Sequence, residues 1–550
     1  MRVLLFIFFS FLWLGSLAAQ NTNAGNSRKH FIYFKDKENT PYTTTDPGKF
    51  LSARALERRQ KQGISLTNRD LPVNPNNVKI LKARGASVLY TSKWLNAAVV
   101  NCDSVVLRQL LQLPFVKSGQ TLSRKITNQN NKAPGAPKQT LNNPALRTTN
   151  DRAVYGKAFN QANMIGAIDL HTAGFRGENM NVAIFDGGFP GVDGISAFSH
   201  LFSDNRIKAT YDFVGKDTYV FERDNHGTNV LSTMAAYEPG TMVGTAYRAN
   251  YYLFITEDSG SEHHIEEVNW LLAAEFADSA GVDVINSSLG YNDFDAPSVD
   301  YTYQDMNGRN AIITKAADIA ASTGILVVNS AGNEGNKPWR YISAPADGDS
   351  VLTVGAVDSL GRLASFSSVG PTFDGRLKPN LVAQGVYATI LSRSGVVGRA
   401  NGTSFSSPIL AGMAACFWQS NPELTNMDVI RLLQASASKA DNPDNMFGFG
   451  IPNGYKAYEV AREESDKTKL FPNPVPKSGK LNLRLGREFL NQKLTVTIHN
   501  LIAQRFLTQT FQSKTERDLL ILDVATLYPG LYACTVMGNN KQESFKFIKL

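Results

Sequence analysis

Cysteine is scarce: Cys102, Cys416 and Cys534 are the three in 550 residues, and they lie far apart. That excludes a disulfide framework and offers no metal-ligand spacing, so stability rests on packing or bound ions. Long apolar runs are missing after the first twenty residues, and a bilayer span needs about 20. The opening run, MRVLLFIFFSFLWLGSLAAQ, is broken by Ser10 and Gly15 and ends at Ser16, Ala18 and Ala19. It reads as a secretory signal over residues 1–19 and not as a membrane anchor. No solenoid repeat is visible.

A uniform excess of one charge is missing too. The net charge is +8, but residues 20–150 hold 21 Lys/Arg against 6 Asp/Glu, while 151–465 hold 21 against 36. A basic leader beside an acidic middle suggests complementary faces within one precursor. No nucleic-acid partner is expected.

What is present divides into several domains, as 550 residues require. In the leader, HFIYFK, ASVLYTSK, WLNAAVV and PFVKSG read as strands, and SARALERRQKQ and DSVVLRQLLQL as helices. That β-α-β-β-α-β order suits a ferredoxin-like α+β unit. A polar stretch rich in Asn, Pro and Lys follows to residue 150, an exposed linker open to proteolysis. From 151 to 460, NVAIFD, VDVINSSLG, GILVVNSAGN and SVLTVGAV look like strands buried on both faces, with helical patterns between them. This predicts an α/β domain, a mostly parallel sheet covered by helices on both sides. From 466 to 550, short strands between turns predict a small β-sandwich.

Working residues of parallel sheets gather at the carboxyl ends of strands. Asp186 ends NVAIFD, and Asn333 follows GILVVNSAG. His226 stands where a helix opens in DNHGTNV, and Gly227 lets the backbone run close beside its ring. Ser404 opens the apolar helix of NGTSFSSPILAGMAACFWQ, at the positive end of its dipole. Taken singly, each reads as a cap or loop residue. Taken together they supply a hydroxyl, an imidazole to take its proton and a carboxylate to hold the imidazole.

Across about 151–460 the chain resembles the subtilase family, in its aspartate (AIFDGG), histidine (NHGTNV) and serine (NGTSFSSP) motifs. The resemblance implies a secreted serine endopeptidase that cuts protein or peptide substrates with Asp186, His226 and Ser404. SAGNEG matches the family's oxyanion motif, which makes Asn333 the donor. SSLG resembles its substrate strand, so Ser288, Leu289 and Gly290 would pair with an extended peptide. Ala331 and Gly332 would line the other wall of the primary pocket, and such small residues admit a bulky apolar side chain. Gly187 and Asn229 depart from the usual motif residues without removing a catalytic atom. A lipase-type G-x-S-x-G elbow does not fit, since Ser406 stands where the second glycine would be.

The reaction implied requires no cofactor. The acidic interval holding Glu257, Asp258, Glu262, Glu266 and Glu267 is expected to be a solvated helix start, with a structural calcium site as the alternative. His263 and His264 are adjacent and make a poor ligand pair. The leader resembles a subtilase propeptide, an intramolecular chaperone and inhibitor, and self-cleavage is expected between about Asn142 and Tyr155. The tail, from LFPNPV through LYPGLY to KFIKL, resembles the sorting domain of the type IX secretion system. It implies a partner in the outer-membrane secretion machinery and export across a Gram-negative envelope. A monomer is expected.

Overall fold

The computed structural model describes residues 27–122, 149–514, 519–539 and 541–550. The signal segment 1–19 and most of the linker lie outside the described residues.

In the leader, four antiparallel strands run in the order Ser87–Ser92, Ala97–Cys102, Arg28–Phe34, Val116–Thr121, the ferredoxin-like order. The helices Ala53–Lys61 and Ser104–Leu111 stand where the sequence places them, but a further helix, Pro75–Ala83, was not legible. Its signals are local: Asn74 caps the Asn76 N–H at 2.9 Å and Pro75 fills the first turn. Its apolar residues are too sparse to form a stripe. The reading of a strand from Trp94 is also shortened, because pairing begins at Ala97.

Strand alternation gives the leader sheet two buried faces. Ile32 and Phe34 join Leu81, Ala98 and Leu110 in the leader's own core, while Phe31 and Val99 pack into the cluster that holds Leu271, Leu272 and Ala316. The leader thus sits on two helices of the middle domain.

That domain is built on seven parallel strands in the order Leu381–Gln384, Leu352–Val357, Leu326–Ser330, Val284–Ser287, Asn181–Asp186, Asn250–Ile255, Ile207–Asp212. Val182 and Ile184 face the helices His226–Ala235 and Thr403–Ser420, and Ala183 and Phe185 face His264–Ala280 and Ile312–Ser322. Both faces are covered, so the central strands are buried at every position and largely apolar, with polar residues such as Asp186 and Asn286 toward their carboxyl ends.

Polar contacts join leader to middle domain as well. Arg58 Nη2, Arg59 Nη2 and Lys93 Nζ reach the Asp278 carboxylate at 2.7, 2.8 and 2.9 Å, and all four side chains are at most 9% exposed. Glu275 accepts from the Lys93 and Trp94 backbone at 2.9 and 3.0 Å. Arg54 and Arg58 donate to the carbonyls of Gly281 and Thr323, where the two underlying helices end. The leader's cations therefore meet both an acidic side chain and the negative ends of helix dipoles.

The tail packs a three-stranded and a four-stranded antiparallel sheet about Leu481, Leu483, Val496, Ile498, Leu522 and Val536. The cysteines are free and buried. Among the described residues, no helix is long and apolar enough to cross a membrane.

Candidate active site

The carboxyl ends of the central strands and the starts of two helices converge on one edge of the parallel sheet. Asp186, last residue of its strand, is 1% exposed and accepts from the Gly187 N–H at 2.8 Å. His226 opens its helix, and its Nδ1 lies 2.8 and 3.0 Å from the two oxygens of Asp186. A carboxylate at Nδ1 holds the proton there and leaves Nε2 as the basic nitrogen. Gly227 allows the approach: a Cβ on it would stand 2.3 Å from Gly188 O and 3.0 Å from Asp186 Cβ. Burial pulls the His226 imidazole down, but the charges of Asp186, Asp224 and Glu257 outweigh it and hold the ring above its ordinary value.

Ser404 lies in the first turn of Thr403–Ser420, which starts from Gly402 at φ 153°. Its Oγ donates to Ser288 O at 3.4 Å, and Ser288 Oγ donates to Ser404 O at 2.9 Å. The hydroxyl is thus parked on a carbonyl and not on the imidazole, although the His226 ring stands 5.9 Å from that of Phe405 in the same turn. Asn333 is oriented by a residue the sequence did not single out. Its Oδ1 accepts from Thr403 N and Oγ1 at 2.9 and 3.1 Å, which turns Nδ2 toward Gly402. Thr403, inside the serine motif, carried that signal.

Of the proposed substrate strand, Leu289 O is turned inward and taken by Asn329 Nδ2 at 3.0 Å. Ser288, Leu289 and Gly290 follow the end of the strand Val284–Ser287, and the Ser288 carbonyl faces the Ser404 hydroxyl. Ala331 is buried, and Gly332, at φ 106°, donates its N–H to Thr403 Oγ1 at 3.2 Å.

The acidic interval is not the solvated helix start expected: Glu266 and Glu267 are 1% and 0% exposed. Glu266 accepts from the Asp258 and His263 N–H groups, and Glu267 from Tyr301 and His264, so hydrogen bonds replace water. His263 turns instead to Ser298. Oxygens of Glu257, Glu262 and Glu266 lie within 4.8 Å of one another. A divalent cation fits such spacing, and without one the group is self-repelling. Burial first, then the charge of Asp186 on Glu257 and of Glu257 on the other two, raises Glu257, Glu262 and Glu266 to about 7, 8 and 10.

A carboxyl raised by folding favours the fold while protonated, and that contribution is lost as pH climbs through the raised values. Thermal stability is expected to fall between pH 6 and 9. Glu262→Gln should recover about 1 kcal/mol at pH 9, roughly 2–4 °C, and little at pH 5. Unfolding curves whose pH dependence the substitution leaves untouched would refute this.

The Subtilase family model matches residues 177–450. Subtilisin DY of Bacillus licheniformis is 34% identical over 293 residues, covering 53% of this chain and 94% of that protein.

The chain belongs to the subtilase family.

A second relative, a subtilisin of Bacillus pumilus, is 33% identical over 279 residues, 50% of this chain and 89% of its own. A solved structure of MycP1 with the N-terminal propeptide removed aligns at TM-score 0.44 and 22% identity over 54% of this chain and 96% of its own. The leader, at 29–138, matches the Peptidase S8 propeptide domain of Bacteroidota, and 469–550 match the secretion system C-terminal sorting domain. This subtilase is a serine endopeptidase with a propeptide, and its sorting domain marks it for export across the cell envelope.

Proposed function

We propose that this subtilase hydrolyses peptide bonds in proteins with Ser404 as nucleophile, His226 as general base and Asp186 as its orienting carboxylate. The observation that carries the reading is the 2.8 Å bond between Asp186 and His226 Nδ1 beside the turn bearing Ser404. The Ser404 hydroxyl rotates from Ser288 O to His226 Nε2 and gives up its proton as Oγ attacks the substrate carbonyl. Loose catalytic hydrogen bonds of this kind tighten in the substrate complex. Negative charge on the carbonyl oxygen is met by the Ser404 N–H, at a helix N-terminus, and by Asn333 Nδ2. His226 then protonates the leaving amine, and water, activated by the same imidazole, releases the acyl group. The chain's own residues perform each of these steps.

The leader is proposed to remain as inhibitor after self-cleavage. Of the expected window, 142–148 lie outside the described residues, and Thr149–Tyr155 is helical, which moves the cut toward the window's start.

A fluorophosphonate probe should label the processed enzyme and not Ser404→Ala. Equal labelling of both would remove Ser404 as nucleophile. Asn333→Ala is expected to lower kcat by about 10²–10³ with KM nearly unchanged, a size known from subtilisin. A rise in KM at constant kcat would assign Asn333 to ground-state binding instead.

A further inference from the structure

The helix that opens at Ser404 holds a proline, Pro408, four residues further on. In a regular helix the Ser404 carbonyl accepts from the backbone N–H of residue 408. Proline has no such N–H, and its ring crowds that same carbonyl. A buried carbonyl left without a donor is costly, so the partner has to come from outside the helix.

Ser288 supplies it. Its Oγ donates to Ser404 O at 2.9 Å. A carbonyl only accepts, so the one hydroxyl proton of Ser288 is committed to that bond. Ser288 Oγ in turn accepts from Asn286 Nδ2 at 3.2 Å, and the other end of the same amide, Oδ1, accepts from Ser407 Oγ at 2.9 Å. Asn286 and Ser407 are fully buried, and Ser288 is nearly so. Asn286 lies on the strand Val284–Ser287, paired with Ile184 on one side and Val328 on the other, which makes it a rigid base. From that base the chain of hydrogen bonds grips the helix at two points, the Ser404 carbonyl and the Ser407 hydroxyl.

We infer that Asn286 and Ser288 are positioning residues for the nucleophile: they replace the hydrogen bond that Pro408 removes and so fix the main chain of Ser404 relative to His226 and Asn333. The inference rests on the proposed reading of Ser404 as nucleophile. A Ser404 carbonyl released from Ser288 turns its peptide plane toward another donor and carries the hydroxyl with it. A nucleophile misplaced by about 1 Å loses roughly 10²-fold in rate. The Ser288 hydroxyl and the Asn286 amide are both spent on protein partners, so the loss falls on kcat and not on KM.

The test uses self-processed enzyme and one peptide p-nitroanilide. Ser288→Ala is expected to lower kcat by about 10- to 100-fold at nearly constant KM. Asn286→Ala should act in the same direction, and adding it to Ser288→Ala should cost little more. Pro408→Ala returns an N–H to position 408, so combined with Ser288→Ala it lets the helix supply its own donor, and most of the lost kcat should come back. If Ser288→Ala alone does not mature, recovery of mature, active enzyme in that double variant is the readout. A side chain that merely stabilised the fold would lower the thermal midpoint in both backgrounds and leave kcat alone. A wild type that takes fluorophosphonate label, with kcat indifferent to Ser288→Ala or unrestored by Pro408→Ala, overturns the positioning role alone. A wild type that neither takes label nor cleaves the peptide overturns the catalytic reading beneath it.

Discussion

Ser404→Ala and His226→Ala are each expected to lower kcat/KM on a peptide substrate by at least about 10⁴-fold, and the double variant hardly further. The size is known from subtilisin and does not follow from distances alone; the lack of additivity follows from the chemistry. A serine hydroxyl is a weak nucleophile until a neighbour takes its proton, so removing either partner removes the same step. Asp186→Asn should keep the ring in place yet cost about 10⁴ in kcat, because an amide does not hold the imidazole in the tautomer that leaves Nε2 basic. It should also move the acid limb of kcat/KM to lower pH. His226 works as a base only when neutral, and the Asp186 charge is what holds its titration up against burial. A limb that stayed in place would mean that Asp186 does not face the working imidazole. Additive losses in the double variant would separate the two roles.

Asp278→Ala is expected to release the leader from the processed enzyme about 10²–10³ times faster, from a cost of roughly 3–5 kcal/mol for orphaning buried charges. The carboxylate is fully buried and takes three cations from the leader at 2.7–2.9 Å. Arg58, Arg59 and Lys93 would be left in the interface without their anion, although Arg59 keeps Asp70 at 3.0 Å. The comparison is Glu57→Ala, which breaks the Glu57–Lys61 pair. Both side chains there are more than half exposed, and such pairs contribute about 0–1 kcal/mol. Gel filtration of self-cleaved precursor, followed over time, distinguishes retained from lost leader. Equal release by both variants would show that apolar packing around Phe31 and Val99, and not the buried charges, holds the leader. The expectation of docking by opposite charge came from the segment counts, but the counts could not show that one aspartate collects three partners.

Legibility followed the range over which each feature is encoded. Strands buried on both faces announce themselves as unbroken apolar runs, which is why NVAIFD and GILVVNS read correctly. The helix Pro75–Ala83 has no such run and was missed. Glu266 and Glu267 were misjudged for a related reason. Acidic residues at a helix start are usually solvated, and here their burial is set by Tyr301 and the Asp258 loop, which no local pattern reports.

Residue order alone determined the layered fold, the leader and the tail, and pointed to the three side chains proposed to react, because periodicity and short motifs are properties of neighbouring residues. Tertiary structure decided what each side chain faces: Ser404 against Ser288, 116 positions away, and Arg58 against Asp278, 220 away. Hydrogen bonds and steric limits act over a few ångströms of space, and no local feature of the chain records which distant residue will occupy them.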